Sequence, residues 1–325
     1  MKAIVWTKYG GPEVLKYGVF EKPTPKSGEV LIKIHASSVT AGDCRLRAFK
    51  VPLGFWLPTR LVFGLVKPRK AISGMDLSGV VESTGSEVTL FEKGDEVYGT
   101  TGIRLGANAE YICLPESAAL VKKPGNISHE QAAATIFGGL AAIYFLRDRA
   151  CLHRGQKFLI NGASGAVGTA SIQLANYLGA EVTAVCSTSS IELVRSLGAT
   201  KVIDYTKEEC TKNRETYDVI LDAVGNLSLS KCKQSLTMRG KLILINAGLW
   251  TNLSSVAKSN LVCGVAGESK EALIFLRERI EASDIRGIVD RVYSLERTAE
   301  AHRYVDGGHK KGNVVIAIND SQKLN

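Results

Sequence analysis

Short apolar runs alternate with longer segments of mixed polarity across the second half of the chain. The first run begins at residue 157 and passes into the small-residue stretch 162–168, and a helical pattern follows over residues 169–178. Further apolar runs lie at 181–186, 201–205, 217–225, 240–246 and 261–265, and a second helical segment lies at 191–197. Continuously apolar strands that alternate with helices are typical of a parallel sheet buried on both faces. This part of the chain therefore predicts a doubly wound α/β domain.

Residues 1–120 follow a different pattern of short strands and turns. We expect strands at 2–6, 29–34, 77–83, 96–100 and 109–114, separated by turn signals at 10–12, 23–28 and 93–95. Glycine and proline at these points favour turns and disfavour helices between the strands. The segment therefore predicts a mostly antiparallel β domain ahead of the α/β domain.

The small-residue stretch between the first apolar run and its helix is the strongest functional signal. It comprises Gly162, Ala163, Ser164, Gly165, Ala166, Val167 and Gly168. Small residues let the backbone approach a pyrophosphate, and the following helix offers unpaired N–H donors and a partial positive charge. Ala163 stands where the usual G-x-G-x-x-G spacing has its first glycine, which alanine tolerates if its φ stays negative. A dinucleotide site is therefore predicted; the alternative is an ordinary strand-to-helix turn without a ligand.

The residues after the second apolar run indicate which dinucleotide would bind. NAD-binding folds usually end this strand with Asp or Glu, whose carboxylate holds the ribose hydroxyls. Here the strand ends in a cysteine and a run of hydroxyl residues: Cys186, Ser187, Thr188, Ser189 and Ser190. Hydroxyls do not repel a 2′-phosphate, so we expect NADP(H), although the same residues also suit a helix N-cap. Ligand is expected at the carboxyl ends of the strands, near Gly165, Ser187, Val224, Ala247 and Gly248.

Net charge, cysteine usage and the length of the apolar runs limit the class of protein that this chain can be. The 325 residues carry a formal charge of +9, which favours anionic ligands but is too dispersed to predict nucleic-acid binding. Seven cysteines without a C-x-x-C pair argue against a disulfide framework and favour a reducing, cytoplasmic location. No apolar run approaches the length of a membrane span and residues 1–6 do not resemble a signal peptide, so no stable membrane insertion is expected.

Five further segments resemble those of the medium-chain dehydrogenase/reductase superfamily. They are PTPKSGEVLIKI at 23–34, GMDLSGVV at 74–81, FEKGDEVYG at 91–99, GANAEY at 106–111 and GHKKGNVV at 308–315. Together with the small-residue turn they span nearly the whole chain, in order. The resemblance is closest to the zinc-free branch of NADPH:quinone oxidoreductases and enone reductases.

The resemblance implies a two-domain enzyme. Residues 1–120 and 267–325 would form a GroES-like catalytic domain, and residues 121–266 a Rossmann domain. The implied reaction transfers a hydride from NADPH to a quinone or an α,β-unsaturated carbonyl. A homodimer is also implied, and the strand at 261–265 offers an edge that can pair with the same strand of a second copy.

Four residues receive roles through the resemblance. Thr40 is the candidate catalytic hydroxyl beside the nicotinamide or the substrate carbonyl, where quinone reductases usually have Asn; its alternative role is to cap a turn. Tyr205 corresponds to a tyrosine beside the 2′-phosphate, and Ser190 replaces a lysine of that site. Thr135, in the stretch 131–140, is expected near the nicotinamide amide.

Zinc-dependent members of the superfamily place a cysteine and a His-Glu pair at two positions that can be located in this chain. Thr40 stands at the first and Met75 at the second. Neither is a zinc ligand of the required kind, so no metal is expected. Without a Lewis acid the acceptor must itself be electron-poor, as quinones and enones are.

Alternative functions stay open at this point. A non-enzymatic NADPH-binding protein, regulatory or RNA-associated as some relatives are, fits a site weakened at Thr40, whereas a zinc alcohol dehydrogenase is disfavoured by Thr40 and Met75. The segment 45–70 interleaves basic and apolar residues and lies over the substrate cleft in the family. It is interpreted as a lid, as a solvated loop with an apolar anchor, or as a contact with an anionic membrane.

Overall fold

Two large β-sheets organise the chain, and a two-stranded ribbon flanks them. The computed structural model describes residues 1–52, 54–212, 215–267 and 269–318. Each large sheet has its own apolar core, and the cofactor motif and the GroES-like motifs fall on different sheets. This confirms the predicted α/β class with a mostly antiparallel domain and a parallel doubly wound domain.

The first part of the chain builds most of the antiparallel sheet. The strands in this part of the chain are β1 Lys2–Trp6, β2 Leu15–Val19, β3 Glu29–Val39, β4 Asp76–Thr84, β5 Glu96–Thr100, β6 Tyr111–Pro115 and β7 Leu120–Lys122. Two helices, α1 Ala41–Ala48 and α2 Trp56–Phe63, lie between β3 and β4. β1 and β2 form the ribbon, while β3, β4, β5 and β7 pair in that order and β6 also pairs with β3. β3 runs five residues beyond its predicted end, because residues 35–39 are largely buried and continue the pairing.

A long helix connects the two sheets. It is α3 His129–Ala142, followed by a π-helical segment Ile143–Arg149. A Cβ added at Gly138 would lie 2.3 Å from the carbonyl oxygen of Ala166, so glycine lets α3 approach the start of the next helix closely. The side chains of α3 are mostly buried, against the antiparallel sheet on one side and the helix that begins at Ala166 on the other.

The second sheet is parallel throughout and has six strands. Its elements are β8 Lys157–Asn161, α4 Ala166–Tyr177, β9 Glu181–Cys186, α5 Ile191–Ser196, β10 Lys201–Asp204, β11 Tyr217–Asp222, α6 Leu229–Cys232, β12 Leu236–Leu244, α7 Leu249–Val256 and β13 Leu261–Cys263. The strands pair in the order β10-β9-β8-β11-β12-β13. This order reverses between β8 and β11, and such a switch point is where doubly wound sheets bind ligands. α4 begins at Ala166, three residues before its predicted start, since Gly165 is the N-cap.

The chain then returns to the first sheet. The last elements are α8 Lys270–Glu281, β14 Val289–Ser294, α9 Thr298–Asp306 and β15 Asn313–Ala317. β15 pairs antiparallel with β3, so both ends of the chain contribute to one sheet. The exact domain boundaries at 120/121 and 266/267 stay predictions.

In the residues that the structure describes, none of the helices combines the length and the apolar character needed to span a bilayer.

Candidate active site

The turn between β8 and α4 has the geometry of an anion cradle. Gly162 has a φ of +87°, which favours glycine. A Cβ at Gly168 would lie 2.3 Å from the Gly162 carbonyl oxygen, so only glycine lets the helix begin this close to the strand. Gly165 caps α4 without a side-chain hydrogen bond, which leaves the backbone N–H groups of the first turn available to a ligand. Ala163 is fully buried and its N–H donates to Val185 at 3.0 Å, so alanine is accommodated in place of the usual first glycine.

A segment from the end of the chain lies against this turn. The Gly312 N–H donates to the carbonyl oxygen of Ser164 at 2.7 Å. The Lys311 ammonium donates to the carbonyl oxygen of Ser189 at 2.7 Å. The antiparallel domain thus supplies one wall of the predicted dinucleotide site. In the sequence Lys311 stood out only as part of a family motif, because nothing local relates it to residues 122 positions earlier.

The hydroxyl run after β9 is only partly available to a ligand. Thr188 and Ser189 are exposed and Ser187 is half-buried, on a short 3₁₀ turn ahead of α5. Ser190 is only 2% exposed, which makes it a packing residue rather than a surface hydroxyl and argues against the predicted cofactor contact of its side chain. Ser187 and Ser190 stand at the N-cap positions of the 3₁₀ turn and of α5, but neither side chain accepts a capping hydrogen bond. A cofactor contact from this run therefore rests on Ser187 and Thr188.

A carboxylate also stands at this end of the sheet, which the sequence pattern did not indicate. Asp204, at the end of the neighbouring strand β10, accepts a hydrogen bond from the Thr188 hydroxyl at 2.5 Å. This bond, and a second from Thr206, hold the pKa of Asp204 down at about 2. Lys207 lies 3.7 Å from the same carboxylate. Tyr205 is 55% exposed beside them, consistent with a side chain that faces a ligand.

The loop after β11 is fixed by one buried carboxylate. Asp222 accepts hydrogen bonds from the backbone N–H groups of Val224, Gly225 and Leu227, at 2.8–3.0 Å. The Asn161 amide donates to the same carboxylate at 2.9 Å. These bonds present Val224, which is 54% exposed, at the carboxyl edge of the sheet next to the turn.

The loop after β12 is held in a similar way. Gly248 is the N-cap of α7. The Asn252 side-chain amide donates to the carbonyl oxygens of Ala247 and Gly248, at 2.9 and 3.0 Å. Ala247 and Gly248 therefore lie at the predicted edge, on a loop with a defined conformation.

Thr40 performs the capping role that the sequence left as an alternative. It is the N-cap of α1, and its side-chain oxygen accepts from the Asp43 N–H at 3.1 Å. Its hydroxyl donates to the Asp43 carboxylate at 2.6 Å, and the side chain is 2% exposed. The hydroxyl proton is thus engaged inside the protein, and a catalytic role for Thr40 stays a prediction. Thr135 is similarly engaged, because its hydroxyl donates to the Ala132 carbonyl oxygen at 2.7 Å.

Two buried carboxyl groups lie behind the start of α1. Burial raises the pKa of Asp43, against the opposing hydrogen bonds from Thr40. Burial also raises the pKa of Asp76 to about 7, and the charge of Asp43 adds to the effect. The Ser38 hydroxyl donates to Asp76 at 3.0 Å. Both carboxyl groups therefore keep their protons to a higher pH than an exposed aspartate does.

Arg45 crosses the gap between the two domains. It lies on α1, and its guanidinium donates to the side-chain oxygen of Asn246, just beyond β12. Burial lowers the pKa of Arg45. Within the described part of the chain, no carboxylate is within ion-pair distance of this guanidinium. A half-buried cation held only by an amide is suited to receive negative charge on a substrate oxygen.

At the two positions where zinc-dependent relatives have metal ligands, this chain has Thr40, which caps α1, and Met75. Met75 packs against the apolar core of the antiparallel sheet. Cys44 and His302 approach to 3.3 Å, but burial raises the pKa of the thiol, which disfavours the thiolate that a metal needs. Over the described ranges, no group of three or more His, Cys, Asp or Glu side chains has an arrangement that suits a metal ion.

Comparison with known proteins assigns the family. Residues 26–125 match the alcohol dehydrogenase GroES-like domain, and residues 197–316 match the zinc-binding dehydrogenase family. An NADPH-dependent alkenal/one oxidoreductase, chloroplastic, of Arabidopsis thaliana is 32% identical over 97% of this chain and 79% of its own length. The chain belongs to the medium-chain dehydrogenase/reductase superfamily.

Two further comparisons place it within that superfamily. A quinone oxidoreductase of Sus scrofa is 30% identical over 96% of this chain and 95% of its own. The structure of the quinone oxidoreductase from Coxiella burnetii matches with a TM-score of 0.86 at 27% identity, covering 98% of this chain and 99% of that one. Among medium-chain dehydrogenases/reductases, this chain therefore falls in the branch of quinone and enone reductases.

Proposed function

We propose that the protein transfers a hydride from NADPH to a quinone or an α,β-unsaturated carbonyl, without a metal. The observation that carries the proposal is the glycine-lined turn 162–168. Its helix N-terminus has no side-chain cap, and it is walled by the segment that contains Gly312. A Cβ at Gly168 would meet the Gly162 carbonyl oxygen at 2.3 Å, so glycine lets the helix N-terminus lie close against the strand, as a pyrophosphate site requires. The relatives named above act on quinones and on alkenals or enones, which supports the same substrate class here.

The chain's own residues would bind the cofactor, orient the substrate and polarise the acceptor oxygen. When bound, NADPH supplies the hydride, and the protein supplies position and electrostatics. The turn would hold the pyrophosphate through backbone N–H groups, and the loop fixed by Asp222 would place Val224 beside the cofactor. The Arg45 guanidinium would stabilise negative charge that develops on the acceptor oxygen. A proton from solvent completes the reduction.

Charges at the opposite end of the site support NADPH over NADH. Lys311 brings an ammonium to the turn that bears Ser187 and Thr188, where a 2′-phosphate would lie. Asp204 opposes this preference, and Lys207 partly offsets its charge. We therefore propose a preference for NADPH that is moderate in size.

The proposal is tested by the loss of NADPH absorbance with purified protein and a panel of quinones, enals and enones, repeated with NADH. Turnover with one acceptor class, faster with NADPH, is the expected result. Saturable NADPH binding without turnover on any acceptor would contradict the enzyme and favour a non-enzymatic NADPH-binding protein. One zinc per chain by metal analysis would contradict the metal-free mechanism.

Two further properties belong to this proposal. We propose a homodimer that forms through β13, the edge strand of the parallel sheet, which has one neighbouring strand among the described residues. We also propose a reducing, cytoplasmic location, since all seven cysteines are free thiols.

A further inference from the structure

Helix α2 is apolar and yet contributes no buried residue. Its sequence is WLPTRLVF, and its side chains are exposed or half-buried throughout. The helix and the loop that follows it expose six large apolar side chains: Trp56 54%, Leu57 55%, Leu61 53%, Val62 48%, Leu65 55% and Val66 87%. Apolar side chains clustered in this way on a protein surface mark an interaction site.

The helix is held firmly in its exposed position. The Arg60 guanidinium lies over the rings of Phe49, Tyr9 and Trp56, with 3.8, 4.3 and 5.2 Å to the three ring centroids. The Tyr9 hydroxyl donates to the Gly64 carbonyl oxygen at 3.0 Å. α2 is therefore a fixed platform, with its apolar side chains turned outward.

Helix α7 continues the same kind of surface. A Cβ at Gly54 would lie 2.5 Å from the Leu249 Cβ, so the loop before α2 contacts the start of α7. α7 likewise buries none of its residues, and it exposes Trp250 by 73% and Val256 by 89%. We call the exposed side chains of α2, the loop 64–70 and α7 the apolar-basic face.

The stretches of sequence that carry this face have charges of one sign only. From Cys44 to Met75 the sequence has seven Lys and Arg residues and no Asp or Glu, and no acidic residue occurs between Asp222 and Glu268. The exposed cations in and next to these stretches include Lys50, Lys67, Arg69, Lys70 and Lys258. The face thus combines protruding apolar side chains with uncompensated positive charge.

We propose that the apolar-basic face binds the surface of an anionic phospholipid bilayer. Exposed apolar side chains enter the boundary between headgroups and acyl chains, while lysine and arginine contact anionic headgroups. A second copy of this chain is a poorer occupant, because two faces of the same positive charge would repel each other. A substrate pocket alone does not account for Val66, Trp250 and Val256, which are more than 70% exposed.

The bound orientation gives the face a role in the proposed reaction. α7 begins three residues after Asn246, the partner of Arg45 in the cleft. A bilayer at this face therefore lies beside the candidate site, where an apolar acceptor dissolved in lipid would arrive. Only this last step rests on the proposed function; lipid binding itself does not.

The test is flotation of the purified full chain with vesicles of phosphatidylcholine alone or mixed with phosphatidylglycerol. We expect flotation with the mixed vesicles, little with the neutral ones, and weakening as salt is raised. Leu57→Glu combined with Val66→Glu should abolish it, whereas Val19→Glu and Met238→Glu, at apolar residues exposed elsewhere on the surface, should not. Lys67→Gln with Lys70→Gln should weaken binding roughly 10- to 30-fold, and Lys16→Gln with Lys26→Gln should have little effect.

Tryptophan fluorescence supplies a second readout on the unmodified chain. Trp6 is 3% exposed, so a blue shift on adding anionic vesicles would come from Trp56 and Trp250. No flotation of the wild type, or equal flotation of the Leu57→Glu/Val66→Glu variant, would overturn the proposal. A loss of dimer mass in that variant without any vesicle binding would instead identify the face as an interface between copies. The same variant is also assayed with a water-soluble quinone. Turnover there separates a loss of vesicle binding from a failure of the proposed enzyme activity.

Discussion

We expect single charges beside the hydroxyl run after β9 to set the preference between the two dinucleotides. Lys311 donates to the Ser189 carbonyl oxygen, and Asp204 accepts from Thr188. The two charges act in opposite directions on a 2′-phosphate. Neither was indicated by the sequence pattern, because the contacts join residues 122 and 16 positions apart. The local hydroxyl run was visible, but the charges that surround it depend on how the sheets fold together.

Lys311→Gln should weaken NADPH binding and leave NADH binding nearly unchanged. The lost charge-assisted contact with the 2′-phosphate predicts a rise in the NADPH Kd of roughly fivefold to tenfold. Calorimetry with NADPH, NADH and 2′,5′-ADP measures it, and Asp204→Asn should shift the NADPH preference in the opposite direction. Lys233→Gln, on an exposed lysine outside the site, serves as the control. Equal weakening of both dinucleotides by Lys311→Gln would show that the lysine acts on the fold of the turn instead.

The buried carboxyl of Asp76 should make stability depend on pH. Its pKa is raised by burial to about 7, against an ordinary value of 3.8, so between about pH 4 and 7 the folded state binds more protons than the unfolded state. The free energy of unfolding should therefore fall as pH rises through this window and level off above it, by on the order of 2–4 kcal/mol. Urea denaturation at a series of pH values measures this slope. Asp76→Asn should remove the fall in unfolding free energy between about pH 4 and 7. An unchanged pH slope in this variant would contradict the assignment of the slope to Asp76. Asp148→Asn, at an exposed carboxylate, is the matched control.

At the scale of elements, the β8–turn–α4 unit was the most predictable part of the site. Strand, small residues and helix are adjacent in sequence, so their geometry follows from local rules. The T-x-x-D spacing of Thr40 and Asp43 is local in the same way and produces the capping box at α1. The burial of Ser190 was not predictable, since it depends on how α5 packs against the sheet.

Gly168→Ala should damage this unit far more than Gly165→Ala. The added Cβ at Gly168 would meet two backbone carbonyl oxygens, at 2.3 and 2.5 Å, whereas at Gly165 the nearest atom is 3.7 Å away and φ is −81°. We expect Gly168→Ala to lower the free energy of unfolding by about 1–3 kcal/mol and to weaken dinucleotide binding at least roughly tenfold. Thermal unfolding and NADPH titration measure both effects. Equal stability of the two variants would contradict the close approach of helix and strand.

At the scale of the whole molecule, the site is made where two sheets meet. The order of motifs along the sequence predicted both domains, and β15 confirms that the end of the chain returns to the first sheet. The contacts across the gap were not predictable, because Arg45 and Asn246 lie on different domains and are 201 residues apart. In the sequence Arg45 belonged only to a basic-apolar segment. The structure gives it a distinct position at the carboxyl end of β12.

Arg45→Gln should therefore reduce catalysis without reducing cofactor binding. The guanidinium is half-buried and held by an amide, so removing its charge removes stabilisation of the acceptor oxygen in the transition state. We expect kcat for enones to fall roughly tenfold to a hundredfold, with an unchanged Kd for NADPH, and Arg45→Lys to recover part of the loss. Asn246→Asp should also slow the reaction, since a carboxylate partner would neutralise the guanidinium, while Arg154→Gln, at an exposed arginine, should not. A fall in NADPH affinity that matched the fall in kcat would mean instead that Arg45 holds the two domains together and takes no part in polarising the acceptor.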